Sequence, residues 1–189
     1  MIPCIPREVS PRGIARQRKK ADNLPSTDMV QSRVVVILGS ESDAEFAAPI
    51  KQLLDKFGIR NEFRVASAHK DSEQLIRIIA EYEKLDEGIV YITIAGMSNA
   101  LSGFVDFKTR HPVIACPHLE EKFGLVDVYS SLRMPQGVVP LVTLSPESAA
   151  LAAAKILGER NKEFAEKIRR FQEEISAKNK QADGRLRSA

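Results

Sequence analysis

From Val34 onward, apolar and polar positions follow two alternating rhythms. Val34-Val35-Val36-Ile37-Leu38, Val90-Tyr91-Ile92-Thr93-Ile94 and Val113-Ile114-Ala115-Cys116 are short, nearly continuous apolar runs, as strands buried on both faces require. Phe63-Arg64-Val65 marks a further strand end. Between these runs the period changes to that of a helix. Phe46, Ile50, Leu53, Leu54 and Phe57 fall on one face of a segment running from Asp43 to Phe57, and Gly58 stops it. Leu75, Ile78, Ile79 and Tyr82 form the stripe of a second helix, which Asp71 caps with Gln74 three residues on. A shorter helix is predicted from Asn99 to about Lys108. A last strand from Val138 to Leu144, interrupted by Pro140, precedes a helix opening at Pro146, where the missing N–H costs nothing. Alternating strands and helices of this kind predict an α/β fold, a parallel sheet covered on both faces, with ligands at the carboxyl ends of the strands.

The two ends of the chain read differently. Residues 1–32 carry three prolines in their first half, the cluster Arg16-Gln17-Arg18-Lys19-Lys20 and no sustained apolar period. They are expected to be a disordered basic leader, separate from a domain over 33–158. A targeting segment shares this basic composition but needs an amphipathic face, which the leader lacks. Beyond the domain, 159–182 is read as an amphipathic helix, from Lys162 to about Lys180, with a flexible tail over 183–189. Its apolar Phe164, Ile168, Phe171 and Ile175 repeat at spacings of four, three and four. The helix lies past an apparently complete α/β unit, so it is expected to pack on a neighbouring subunit rather than on its own domain.

Charge and composition narrow the function. The first 33 residues hold seven basic and three acidic side chains, the remaining chain 21 basic and 22 acidic, so the surplus of +3 belongs to the leader. The near-neutral domain, with aromatic residues at only 6%, suits no nucleic acid. No apolar run approaches the roughly 20 residues of a membrane span. Cys4 and Cys116 offer no disulfide framework, which favours a reducing, cytoplasmic setting.

The chemistry concentrates in three turns, each where a strand gives way to a helix: Gly39-Ser40-Glu41-Ser42-Asp43, Ser67-Ala68-His69-Lys70 and Ala95-Gly96-Met97-Ser98-Asn99. Small residues, hydroxyls and free backbone N–H groups at three strand ends make one crevice suited to an anion. Taken alone, the first turn is an ordinary capped helix start, too short for a P-loop and without its lysine. Asp43 would repel a phosphate and suits a sugar hydroxyl, with Ser40 nearer the phosphate; one phosphate and one ribose describe a mononucleotide. His69 alone would be read as structural. Flanked by Ser67 and Lys70 at a strand end, it becomes a candidate base, because a neighbouring ammonium favours the neutral, proton-accepting imidazole. Lys70 is either a surface charge or a point charge for a phosphate. His111, Cys116 and His118 match no compact zinc spacing, and Cys116 within an apolar strand is expected to be inert, so no metal is expected. Arg133, in the polar loop Ser130-Ser131-Leu132-Arg133-Met134-Pro135-Gln136-Gly137, is a candidate anion contact offered across a subunit boundary.

Together with Ala95-Gly-Met-Ser-Asn-Ala-Leu-Ser-Gly103, Pro112-Val-Ile-Ala-Cys-Pro117 and Ser130-Ser-Leu-Arg-Met-Pro135, the first two turns resemble the phosphoribosylaminoimidazole carboxylase family of de novo purine synthesis. The matching segments span about 125 residues in the family's order. One branch of that family rearranges N5-carboxyaminoimidazole ribonucleotide and typically reads Ser-Ala-His-Arg. The other carboxylates aminoimidazole ribonucleotide directly with CO2 and reads Ser-Ala-His-Lys with Ser-Asn-Ala-Leu-Ser-Gly, as here at Lys70 and Ser98 to Gly103. Met97 departs from that branch, which usually has arginine there. The resemblance implies a flavodoxin-like three-layer α/β/α sandwich, a homo-octamer, and carboxylation of aminoimidazole ribonucleotide by CO2 without ATP, biotin, metal or other cofactor. It also implies His69 as the proton-transfer residue, Ser40, Ser42, Asp43, Ser67 and Lys70 around the ribose phosphate, and Gly96, Ser98, Asn99 and Leu101 around the base and CO2. The mutase reaction on the same fold, and a catalytically silent nucleotide-binding module, are the alternatives.

Overall fold

The computed structural model describes residues 31–119 and 125–188; the leader expected over 1–32 falls almost wholly outside them. Five strands form one parallel sheet in the order β2-β1-β3-β4-β5: β1 (Ser32–Leu38), β2 (Arg60–Val65), β3 (Gly88–Ile94), β4 (Val113–Ala115) and β5 (Leu141–Val142). This is the flavodoxin-like order, with its switch point between β1 and β3. The helices are α1 (Ala44–Phe57), α2 (Ser72–Tyr82), α3 (Ala100–Lys108), α4 (Tyr129–Leu132), α5 (Pro146–Gly158) and α6 (Lys162–Arg187).

Alternation along the strands divides the core into two layers, because successive side chains of a strand point to opposite faces. Val34, Val36 and Leu38 of β1 and Val90, Ile92 and Ile94 of β3 pack with α1 and α5. Val35, Ile37 and Tyr91 face the other way, against α2 and α3. The helix ends are built as their residues require. Gly58 closes α1 in the left-handed region at φ +72°, where a Cβ would be strained. The Asp71 side chain accepts from Gln74 N, and Ser145 caps α5 ahead of Pro146 by accepting from Ser148 N.

Two expectations are corrected. The last strand is not Val138 to Leu144; only Leu141 and Val142 pair, with Ile114 and Ala115. Pro140 has no N–H to donate, so the ladder cannot extend back through it. The C-terminal helix does not stop near 180 but continues to Arg187, so most of the expected tail is helical. Its first turns pack on their own domain. Phe164 and Ile168 are buried in the layer formed by α1 and α5, and Phe171 packs against it. The stripe fills a groove that α1 and α5 leave open; beyond it Ile175 is 45% exposed.

Candidate active site

Gly39 sits at the switch point, and its tight approach explains the residue. Its N–H donates to the Ile94 carbonyl at 2.8 Å. A Cβ there would lie 3.3 Å from Ala95 Cβ. The turns after β1 and β3 are thereby held side by side. In the first, Ser40 and Asp43 form a reciprocal cap: Ser42 N donates to Ser40 Oγ at 3.3 Å, and Ser40 N donates to Asp43 Oδ2 at 3.1 Å. In the second, Lys70 N donates to Ser67 Oγ and Asp71 N to the Ser67 carbonyl, which turns His69 and Lys70 outward with exposed side chains. In the third, Met97 adopts φ +56°, a conformation that non-glycine residues enter at a cost.

These turns enclose a cavity of about 570 Å³ at the carboxyl ends of β1, β2 and β3. Of the residues expected there, Ser40, Ser42, Asp43, Ser67, His69, Lys70, Gly96, Ser98 and Leu101 all line it, as does Met97. Hydroxyls, two imidazoles and an ammonium share the space with a single buried carboxylate, that of Asp43. The set suits a ligand carrying both an anion and hydroxyl groups.

Two expected residues are placed elsewhere. Asn99 is buried and does not line this cavity. Its Oδ1 accepts from Ser102 N at 3.2 Å as the cap of α3, and its Nδ2 donates to Ser131 Oγ at 2.8 Å. With Ser130 Oγ accepting from Asn99 N at 2.9 Å, these bonds tie the 130–135 loop to the third turn. Asn99 thus caps α3 and ties this loop to the third turn. Asn99 and Ser130 instead line a smaller pocket of about 270 Å³, which shares Ser98 with the main cavity. Arg133 is exposed, lines neither pocket, and its guanidinium pairs with none of the described side chains.

One residue of the crevice was not anticipated. His118 lies just past β4 and lines the cavity; its Nδ1 is 3.1 Å from Asp43 Oδ1. Its ring stacks on Phe46, with centroids 4.3 Å apart and planes 11° from parallel. The signal in the sequence was its place after a strand end, the same feature that marked the other three turns. His111 and Cys116 do not join it. His111 lies at the opposite end of the sheet, where burial holds its imidazole below the usual range. Cys116 is fully buried, and burial pushes its thiol up to about 12. Among the described residues, no cluster of three or more His, Cys, Asp or Glu side chains is placed to hold a metal ion.

Strand order and site together define a flavodoxin-like α/β protein with a polar crevice at its switch point. The family model described as AIR carboxylase matches residues 33–178. A phosphoribosylaminoimidazole carboxylase from Archaeoglobus fulgidus is 48% identical over 155 residues, covering 82% of this chain and 85% of that protein. One from Treponema denticola is 44% identical over 154 residues, covering 82% and 97%. The human bifunctional phosphoribosylaminoimidazole carboxylase/phosphoribosylaminoimidazole succinocarboxamide synthetase is 38% identical over 187 residues, 96% of this chain but 44% of the longer protein. The crystal structure of Treponema denticola PurE superposes with a TM-score of 0.80 at 43% identity, covering 82% of this chain and 98% of that one. The chain belongs to the AIR carboxylase family, the phosphoribosylaminoimidazole carboxylases of purine biosynthesis.

Proposed function

We propose that this enzyme carboxylates aminoimidazole ribonucleotide at C4 with CO2, giving 4-carboxyaminoimidazole ribonucleotide without ATP, biotin or metal. The observation that carries the reading is His69, exposed at the mouth of a crevice whose walls are otherwise suited to a ribose phosphate. Ser40, Ser42, Ser67 and Lys70 offer donors and a positive charge for the phosphate, and Asp43 an acceptor for a ribose hydroxyl. Gly96, Ser98 and Leu101 form the wall left for the base and CO2.

The chemistry asks little of the protein beyond positioning and one proton. The aminoimidazole ring is enamine-like, so C4 attacks the carbon of CO2 while one C=O π pair moves onto oxygen to give the carboxylate. C4 then carries a proton that must leave to restore aromaticity. The His69 imidazole takes it, and returns it in the reverse direction. Lys70 and the sequence from Ser98 to Gly103 favour this direct reaction over rearrangement of the N5-carboxy isomer.

The enzyme is further proposed to work in the cytoplasm as a homo-octamer; among the described residues no helix is long and apolar enough to cross a membrane. Exposed Phe107 at the end of α3, Val139 just before the edge strand β5 and Leu141 within it supply apolar surface for contact between copies. Arg133 remains a candidate contact across such a boundary. The deciding experiment supplies aminoimidazole ribonucleotide and bicarbonate without ATP. Accumulation of the 4-carboxy product supports the reading. Turnover of the N5-carboxy isomer alone would make the enzyme a mutase, and no turnover of either would leave a nucleotide-binding module.

A further inference from the structure

The Asp43 carboxylate is the one buried acid of the crevice, and it is gripped from two sides. Ser40 N donates to Oδ2 at 3.1 Å, within the first turn's own cap. The second contact is long-range: His118 Nδ1, from the segment after β4, stands 3.1 Å from Oδ1. A hydrogen bond to a carboxylate requires the proton on Nδ1, so in the neutral ring Nε2 keeps its lone pair. The parallel stack on Phe46 fixes the plane of the ring, and with it the direction of the Nδ1 proton. Nε2 meets no partner among the described residues, and the side chain is 36% exposed where it lines the cavity.

We propose that His118 is a positioning residue for substrate: its Nδ1–H holds the Asp43 carboxylate in the one orientation that accepts a ribose hydroxyl. This rests on the reading of Asp43 as the sugar contact. With Ser40 N as its one donor the carboxylate could still turn about the Cβ–Cγ bond, whereas two donors on different oxygens fix its plane. The fixed acceptor lowers the ordering cost of binding and does not touch the reacting C4. His118 therefore acts on affinity for the ribonucleotide, and through Asp43.

The test is a double-mutant cycle on the full chain, read as the calorimetric Kd for aminoimidazole ribonucleotide and as KM and kcat with bicarbonate. His118→Ala is expected to raise Kd and KM for the ribonucleotide about tenfold, with kcat within about twofold. His118→Asn, whose amide Nδ2 is placed much as Nδ1 is, is expected to recover most of that loss. In an Asp43→Asn background, His118→Ala is expected to add nothing further. If His118→Ala proves unfolded by circular dichroism, His118→Phe keeps the stack on Phe46 while removing the donor, and the same weakening is expected. Weakened binding in Asp43→Asn with unaltered binding in the His118 variants overturns this proposal alone. Unaltered binding in Asp43→Asn overturns the sugar-contact reading along with it. A loss in kcat at unchanged Kd, or additive effects in the cycle, also overturns it.

Discussion

Phe171 of α6 meets Phe57 of α1 edge to face, with ring centroids 5.5 Å apart and planes at 85°. Lys56 adds its ammonium 4.9 Å from the centroid of the Phe171 ring and pairs with Glu174 at 3.0 Å. The contact marks where α6 stops being part of the domain. Before it, Phe164 and Ile168 are buried; after it, Ile175 and Leu186 are 45% and 80% exposed.

Phe171→Ala is accordingly expected to lower the unfolding free energy by about 1–3 kcal/mol, less than a fully buried phenylalanine would cost. Ending the chain after Gly158 removes Phe164 and Ile168 as well and is expected to destabilise the domain far more. Ending it after Glu174 is expected to leave the urea midpoint unchanged. A midpoint that falls equally for both truncations would show that the exposed half of α6 also carries stability. Light scattering on the shorter truncation separately reports whether that half holds copies together.

Asn99→Ala is expected to behave as a folding mutation. It removes the cap of α3 and leaves the Ser131 hydroxyl without its buried donor. The expected loss is about 2–3 kcal/mol by urea titration, from a cap and a buried hydrogen bond together. Asn99→Asp keeps an oxygen for Ser102 N but has no amide for Ser131, so it should recover only part. Full stability in the alanine variant, with a collapse in kcat, would return Asn99 to the reaction.

Legibility in the sequence followed how local each interaction is. The strands of the sheet centre and the stripes of α1 and α2 could be read because their periods are fixed by their own residues. β5 could be read only as a longer strand, since its two paired residues, Leu141 and Val142 just after Pro140, leave no period that marks where pairing begins and ends. The stripe of α6 shows which face is apolar but carries no information on whose surface covers it. Asn99 was placed in the crevice because capping residues and ligand contacts occupy the same kind of position at a helix start. Only the direction of its amide separates them, and that is set by Ser130 and Ser131, some thirty residues on. His118 was missed for a related reason: its partner Asp43 lies 75 residues away. Neither residue's spacing hints at the pairing, which arises because the sheet order places their strand ends together.

The buried thiol gives a pH dependence of defined sign. Burial, assisted by the charge of Glu147 and opposed by a hydrogen bond with Thr143, holds Cys116 at about 12, against roughly 8.5 in an unfolded chain. The folded state thus keeps this proton longer than the unfolded state does. The contribution is fully present below about pH 8.5 and is lost as pH rises toward 12. Tyr91, whose hydroxyl is also raised by burial, adds in the same direction. Stability is expected to decline through that window, and less steeply in Cys116→Val. In a Cys4→Ser background the remaining thiol should react with Ellman's reagent at pH 8 only as fast as the protein unfolds. Rapid labelling of the folded enzyme would contradict the inert reading.

His69 and Lys70 are neighbours on one turn, yet the proposed reaction assigns them separable effects. In that proposal Lys70 is a point charge for the phosphate, an interaction equally present in bound substrate and transition state. Lys70→Met keeps the stem and removes the charge, so KM for the ribonucleotide should rise more than kcat falls. His69 in the same proposal takes the C4 proton, an interaction realised only as the C–H bond breaks. Asparagine is of similar size and still hydrogen-bonds but cannot accept a proton at neutral pH. His69→Asn is therefore expected to bind the ribonucleotide with similar affinity and to lose about 10² to 10⁴ in kcat, the usual range for a general base. That is roughly 3 to 5 kcal/mol of barrier. Raising bicarbonate should not restore the rate, because the missing step follows attack on CO2. Near wild-type turnover in His69→Asn would make the imidazole structural; a loss confined to Kd would move it to the phosphate, beside Lys70.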